Sequence, residues 1–415
     1  MKQDRIKVCL ASQRFYPTFT GSGIRFQRYA PGLRARGVDI QVFAGTPEVS
    51  DRPSVGPFKS GELLPVEYLE DLPIQRVQLP PGNPYRKLKV YVSALVRYCR
   101  QPSTRPDLIQ ALSVSFYWLP WWVSLRRLDI PFVCVKTMAG GLSDKPLKRF
   151  LQRIYWRLPL ALADCVVVSS GVARDALRNI GVTRRIEVIP NGVDLNRFRP
   201  VASPAEQRGR REQLGLDPVG ELIVFVGSLI QRKGVDVLVE AWRTIAQKRP
   251  RAYLVLVGPN KQDMRQDMYS SEFQARMEAA MAHSGAADRI IFTGRVENVE
   301  AYFQAADLFV FPSRREGMGN VVLEAFGCGL PTVLTPFVGL PDEFGRPDEQ
   351  YVLVERTPEA LAQAITALLA NPERRQRLGW QARQWVEEQM DVERSLDMYA
   401  ALYRELVDRS RDKKR

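Results

Sequence analysis

Two carboxylates and two cations in this chain of 415 residues are spaced as if to hold one ligand. Glu316 and Glu324 lie in Ser313-Arg314-Arg315-Glu316-Gly317-Met318-Gly319-Asn320-Val321-Val322-Leu323-Glu324, after the strand-like run Asp307 to Pro312 and leading into a helix-like run. The order strand, Gly-rich turn, helix puts Glu316 in the turn and Glu324 about four residues into the helix, roughly 6 Å along its axis. Free N–H groups at a helix start attract anions and polar oxygens, and two carboxylates placed this way can grip different hydroxyl-rich parts of one molecule. The plainer reading is one capping and one solvated glutamate. Arg232 and Lys233 follow a strand-like run ending at Val226 and the turn Gly227-Ser228, and Gly234 then opens a helical run. Adjacent cations there can meet both phosphates of a diphosphate, arginine as a fork and lysine as a point charge. A solvated basic turn is the alternative. Gly21-Ser22-Gly23 offers a third cradle, since small residues let backbone N–H groups approach an oxyanion; an ordinary strand-to-helix turn would also favour glycine.

Taken in order, five stretches resemble the motifs of the family 4 glycosyltransferases, retaining enzymes with the GT-B fold. They are Gly21-Ser22-Gly23, Pro190-Asn191-Gly192-Val193-Asp194, the run from Gly227 to Gly234, Thr293-Gly294-Arg295-Val296, and the Glu316 to Glu324 block. The resemblance covers almost the whole chain and is strongest between Glu221 and Thr335. It implies transfer of a sugar from a nucleoside-diphosphate sugar to a sugar or lipid-linked acceptor, in polysaccharide or glycolipid assembly. Arg232 and Lys233 would neutralise the leaving diphosphate, Glu316 would contact the donor sugar, and Glu324 would accept from the ribose hydroxyls. Gly21, Ser22, Gly23 and Gly227 would lie by the phosphates. Backbone groups of Gly317, Met318, Gly319 and Asn320 would touch sugar and phosphate, and Arg295 and Val296 would border the base. Met318 stands where many relatives carry an aromatic residue. Many relatives also carry a histidine after the strand equivalent to Val133 to Thr137. Here the chain reads Lys136-Thr137-Met138-Ala139-Gly140-Gly141, so a histidine base is excluded at that position. Met138, Ala139, Gly140 and Gly141 become acceptor-side candidates, and the departing β-phosphate oxygen would take the acceptor proton. No metal or other cofactor is expected: the resemblance implies metal independence, with the two cations and the helix ends doing the work of Mg²⁺.

The elements that must position these groups alternate between strand-like and helix-like segments, which argues for an α/β protein with parallel sheets covered on both faces. The length exceeds one ordinary core. The expectation is two doubly wound, Rossmann-like domains facing across a deep cleft, with ligands at the carboxyl ends of the strands. They would span residues 1–200 and 201–390, with the polar, proline-bounded stretch from Pro200 to Pro218 as boundary. A terminal helix at about 391–410 would pack back on the first domain, as in the family. Gly21-Ser22-Gly23-Ile24-Arg25-Phe26 lacks the third glycine of the dinucleotide fingerprint, which argues against a NAD enzyme.

The formal charge of +14, from 60 basic and 46 acidic side chains, favours anionic partners. Nucleic acid is set aside, since no recognisable module or aromatic ladder accompanies the charge. The sole histidine, His283, leaves a Ser–His–Asp mechanism little to work with. Cys9, Cys99, Cys134, Cys165 and Cys328 are scattered, as buried inert thiols would be. No apolar run of about eighteen residues occurs, and the run Ile6 to Ala11 is too short for a signal peptide, so a cytoplasmic protein without a membrane span is expected. Tyr85 to Arg100 is amphipathic. Leu88, Tyr91, Val92, Leu95 and Cys99 share one face, with Arg86, Lys89, Arg97 and Arg100 nearly opposite. This is either a core-facing stripe with a solvated basic side or a surface for docking on anionic lipid at the inner membrane face. The aromatic run from Phe116 to Trp122 could anchor such docking or simply pack. Two other functions compete: a nucleotide-sugar epimerase, which needs no acceptor but several acid/base groups, and a non-catalytic, membrane-associated nucleotide binder.

Overall fold

Short runs of β-branched and aliphatic residues form the strands, and helices connect them. The computed structural model describes residues 5–16, 21–47, 59–112, 122–136, 146–259, 270–340 and 344–413. The chain divides into two compact units, residues 1–190 with 393–415, and residues 191–392. The division falls at Pro190/Asn191 and not within 200–218. That stretch instead contains the helix Pro204–Gln213, whose buried Arg211 donates to the Ala305 and Gly220 carbonyls at 2.8 Å and meets Asp307 at 2.8 Å. A basic residue that looks solvated in the sequence thus pins this helix to the second unit.

The first unit holds β1 (Ile6–Ser12), β2 (Val38–Gly45), β3 (Glu67–Leu69), β4 (Leu72–Val77), β5 (Leu108–Ala111), β6 (Phe132–Lys136), β7 (Cys165–Val168) and β8 (Arg185–Val188). They form one sheet in the order β3-β4-β2-β1-β5-β6-β7-β8, parallel except for the β3–β4 pair. The helix Val392–Asp412 belongs to this unit. Its Tyr399 ring packs edge-on to Phe26 at 5.3 Å, and its Tyr403 hydroxyl donates to Gln110 at 2.6 Å. The second unit holds β9 (Glu221–Val226), β10 (Ala252–Val257), β11 (Ile290–Gly294), β12 (Leu308–Phe311), β13 (Thr332–Leu334) and β14 (Val352–Leu353), in the order β11-β10-β9-β12-β13-β14, all parallel. Both faces are covered. Along β9, Ile223 and Phe225 pack with Trp242 and Ile245, while Val224 and Val226 pack with Phe309 and Phe326 on the other side. Burying each such side chain contributes roughly 1.5–3 kcal/mol.

Each sheet reverses its winding once. In the first the reversal lies between β1 and β5, in the second between β9 and β12. Neighbouring strands there send their connections to opposite faces, which leaves a crevice at the carboxyl ends where ligands of open α/β sheets bind.

Candidate active site

The two charged motifs leave the two strands that flank the reversal in the second unit. After β9 the backbone turns through Gly227 (φ +151°), makes the short 3₁₀ turn Gln231–Lys233, and enters the helix Val235–Lys248 through Gly234 at φ +69°. A Cβ on Gly234 would lie 1.9 Å from the Pro312 carbonyl oxygen, so this turn presses directly on the end of β12. Only glycine satisfies both the left-handed backbone and that approach. The Arg314 N–H donates to the Arg232 carbonyl at 2.9 Å, and the Ser313 hydroxyl approaches the same oxygen at 3.3 Å.

This seam places Glu316 among three donors. Lys233 Nζ lies 2.8 Å, Arg232 Nη1 3.2 Å and Ser313 Oγ 2.5 Å from Glu316 Oε1. Arg232 Nη1 also donates to the Arg315 carbonyl at 2.6 Å. Lys233 and Glu316 are 14% and 11% exposed, Arg232 43%, so one cation is sheltered and the other reaches solvent. Burial lowers the Lys233 ammonium below the usual lysine range, and the Glu316 carboxylate partly restores it. The ammonium also sits 5.3 Å from the centre of the Phe311 ring.

The turn is braced from behind by residues that the sequence did not single out. Glu316 N–H donates to the Val338 carbonyl at 2.9 Å and Val338 N–H to the Arg314 carbonyl at 3.0 Å. Arg356 donates to the carbonyls of Pro312 (3.0 Å) and Ser313 (2.9 Å), to Thr335 Oγ1 (3.1 Å) and to the Pro336 carbonyl. Asp236, fully buried in the first turn of Val235–Lys248, faces Arg314 and Arg276 at 3.3 Å each. The one sequence signal for Asp236 was a carboxylate set inside the apolar run Val235-Asp236-Val237-Leu238.

The helix Asn320–Gly327 starts at Gly319 (φ +76°) and carries Glu324, half-buried, in its second turn. Asn320 is exposed and accepts from Asn191 Nδ2 at 2.7 Å, which ties the 190–194 motif to this helix start. Met318 is 3% exposed and packs in the apolar cluster with Phe311 and Phe337, so only its main chain can face a ligand. Arg295 is exposed and Val296 half-buried just beyond β11, and Gly294 accepts from the Gly258 N–H at 3.0 Å. Arg232, Lys233 and Glu316 are therefore in contact with one another. Glu324 and the 317–320 backbone lie along the same connection, and Arg295 and Val296 follow the edge strand.

In the first unit, Gly21, Ser22 and Gly23 form the first turn of the helix Gly21–Ala35 and not a free loop before it. Gly21 is exposed, and a Cβ there would meet nothing. Met138, Ala139, Gly140 and Gly141 lie outside the described residues, as does 116–121. His283 is an exposed residue near the end of Ser271–Ser284, its ring Nδ1 2.7 Å from the Ala279 carbonyl. All five cysteines are buried, and burial pushes the Cys134 and Cys165 thiols up to about 12.

Parallel sheets of this winding, with cations and a carboxylate at the reversal of the second, define a GT-B glycosyltransferase. Residues 206–385 match the family described as glycosyl transferases group 1, and residues 19–197 match glycosyltransferase family 4. The chain belongs to the family 4 glycosyltransferases. It is 27% identical over 379 residues to a D-inositol 3-phosphate glycosyltransferase of Segniliparus rotundus, covering 86% of this chain and 79% of that one. It is 30% identical over 239 residues to a GDP-mannose-dependent alpha-(1-6)-phosphatidylinositol monomannoside mannosyltransferase of Mycobacterium tuberculosis, covering 54% of this chain and 58% of that one. Sucrose-phosphate synthase from Thermosynechococcus elongatus shares its fold with a TM-score of 0.75 at 25% identity, over 97% of this chain and 99% of that one. These relatives favour sugar transfer over the epimerase and the non-catalytic binder.

Proposed function

We propose that this glycosyltransferase takes its sugar from a nucleoside-diphosphate sugar and passes it, with retention at the anomeric carbon, to a hydroxyl of a sugar or lipid-linked acceptor. The observation that carries this reading is the convergence of Lys233, Arg232 and Ser313 on one oxygen of Glu316 at the winding reversal. Before donor binds, Glu316 is the counter-ion of the two cations. A diphosphate brings more negative charge than one carboxylate, so Lys233 and Arg232 turn to the phosphates and stabilise the charge that grows on the leaving group. Among the described residues the side-chain polar contacts of Glu316 fall on Oε1, and Oε2 would meet a donor-sugar hydroxyl. Glu324, one turn into its helix, accepts from the ribose.

Retention follows if the acceptor attacks from the side on which the diphosphate leaves. The leaving β-phosphate oxygen then takes the acceptor proton, and the C1–O bond to phosphate breaks as the bond to the acceptor oxygen forms. With two cations in place, the reaction proceeds without a divalent metal, and EDTA leaves the rate unchanged. The relative named for GDP-mannose supports a nucleotide-sugar donor. The deciding experiment is a thermal-shift screen over UDP-, GDP-, ADP- and TDP-sugars, followed by NMR of the product with the donor that raises Tm most. An α-linked product from an α-linked donor is expected. An inverted linkage, or no Tm shift with any of the donors, sinks the proposal.

A further inference from the structure

The amino ends of the first sheet, opposite its winding crevice, border a cavity of about 320 Å³. Its wall comes from the starts of β1 and β2, the last turn of the helix Pro84–Arg100 and the loop that follows. That helix lays Leu88, Tyr91, Val92, Leu95 and Cys99 into the core, so the stripe that offered a membrane reading in the sequence is packing. Among the described residues, no helix is long and apolar enough to cross a membrane. The loop is held in place. Thr104 Oγ1 donates to the Tyr98 carbonyl at 2.5 Å, the Arg105 N–H to the Gln101 carbonyl at 2.9 Å, and the Asp107 N–H to the Lys7 carbonyl at 2.8 Å. The cavity is therefore preformed, and its volume falls at the small end of the range for small-molecule sites. Several polar groups on its wall have no use within the fold. Tyr98 is 1% exposed, with its ring centre 5.1 Å from that of Phe43, and its hydroxyl has no hydrogen-bond partner. Leaving a buried hydroxyl unpaired costs stability, which a bound partner recovers. Lys7 is exposed, and the nearby carboxylates are taken by arginines: Asp39 by Arg5 at 2.8 Å, Asp71 by Arg34 at 3.7 Å, and Asp107 by Arg411 at 3.2 Å. Among the described residues this leaves the Lys7 ammonium without a counter-ion. Gln41 and Ser103 add an amide and a hydroxyl, and the rest of the wall is mostly aliphatic and proline.

We propose that this cavity is a second ligand site, for a small hydroxylated molecule carrying one phosphate or carboxylate group. Lys7 and Arg34 meet the anion, and charge-assisted hydrogen bonds give that end most of its hold. Tyr98, Gln41 and Ser103 meet the hydroxyls, since each can donate as well as accept. The site stands apart from sugar transfer. Ligands of open α/β sheets bind at the carboxyl ends of the strands, whereas this cavity lies at the amino ends, and none of Arg232, Lys233 and Glu316 lines it. One element still joins the two ends of the sheet. The helix Gly21–Ala35 begins with the Gly21-Ser22-Gly23 turn and carries Arg34 to the cavity wall in its last turn. Occupancy would fix the far end of the helix whose start faces the carboxyl side.

The test is a thermal-shift titration of the full chain with glycerol 3-phosphate, mannose 6-phosphate, glycerate and gluconate, against inorganic phosphate alone and mannose alone. At least one of the four should raise Tm in a saturable way and by more than either control, and the phosphates and carboxylates tell the two anions apart. For that probe, Lys7→Gln should weaken binding by about tenfold or more and Tyr98→Phe by about threefold, as loss of a charged and of a neutral hydrogen bond does. Without ligand both variants should keep the parent Tm, because Lys7 is exposed and the Tyr98 hydroxyl bonds nothing in the free protein. Ser103→Trp, at an exposed position on the wall, should abolish the shift by filling the cavity. Lys233→Ala should leave the shift unchanged, which separates this site from the donor cations as a rival place for an anion. The proposal is overturned if none of the four probes exceeds the controls, or if Lys7→Gln and Ser103→Trp bind as the parent does. It is equally overturned if the shift disappears in Lys233→Ala.

Discussion

The two sheets share a winding pattern but equip their reversals differently. In the second unit the reversal carries side-chain charge, held in place by a glycine-mediated seam, a four-acceptor arginine and a buried aspartate. In the first unit β1 is followed by exposed Arg14 and, past residues outside the described ones, by Gly21-Ser22-Gly23, whose own groups are main chain and the Ser22 hydroxyl. Charge placed by many short contacts is sensitive to any of them, because a misplacement of about 1 Å can cost about a hundredfold in rate. Main chain at a helix start depends less on which side chains stand there. Substitution in the second unit should therefore move rate as well as stability, and in the first unit chiefly stability.

Lys233→Ala tests the contrast hardest. At saturating donor its turnover should fall roughly 10²–10³-fold, the usual cost of losing a charge partner of the transition state; turnover near that of the parent would reject Lys233 as that partner. Gly234→Ala comes next. The left-handed backbone and the overlap with the Pro312 oxygen should lower stability by about 2–4 kcal/mol in chemical denaturation, and an unchanged midpoint would mean the seam is loose. Glu324→Gln should raise donor KM about tenfold with a smaller change in kcat, as loss of a charge-assisted hydrogen bond to a bound group does. The pH profile sharpens the role of Lys233. Its ammonium is lowered by burial, so the cation is present at neutral pH and is lost as pH rises, earlier than for an ordinary lysine. Donor KM should climb on the alkaline side, and Lys233→Arg should flatten that climb; identical profiles would dissociate the lysine from donor binding. The smallest effect belongs to the first unit. Gly21→Ala, at an exposed helical position with free space around it, should add about 0.4–1 kcal/mol of stability, and a loss there would reveal a contact on the glycine.

Much of this architecture was legible because buried parallel strands read as continuous apolar runs. The six strands of the second unit fall on such runs. The strands β3 and β8 did not, since Glu67–Leu69 has three residues and Arg185–Val188 is half-buried, with Arg185 paired to Glu187 at 2.7 Å and to Glu405 at 2.6 Å. Edge strands with charged side chains lack the apolar signal. In the site, Arg232, Lys233, Glu316 and Glu324 stood out through adjacent glycines and short spacing. Their supports did not. Asp236 reaches Arg314 across 78 positions of chain, and Arg356 reaches Pro312 across 44. Such pairings depend on tertiary placement and leave no local pattern. The same limit applied to Pro200 to Pro218, where a buried arginine was indistinguishable from a linker charge.

The helix Val392–Asp412 has a bearing on biosynthesis. Tyr399 and Tyr403 fill the interior of a body whose other residues precede position 191. During translation residues up to 190 emerge before residues 191–392 yet lack one wall until this helix follows, while residues 191–392 can close on themselves sooner. A ribosome that stops short of position 392 would release a protein with a finished rear half and an open front one, exposing the aromatic pocket around Phe26 to chaperones and proteases.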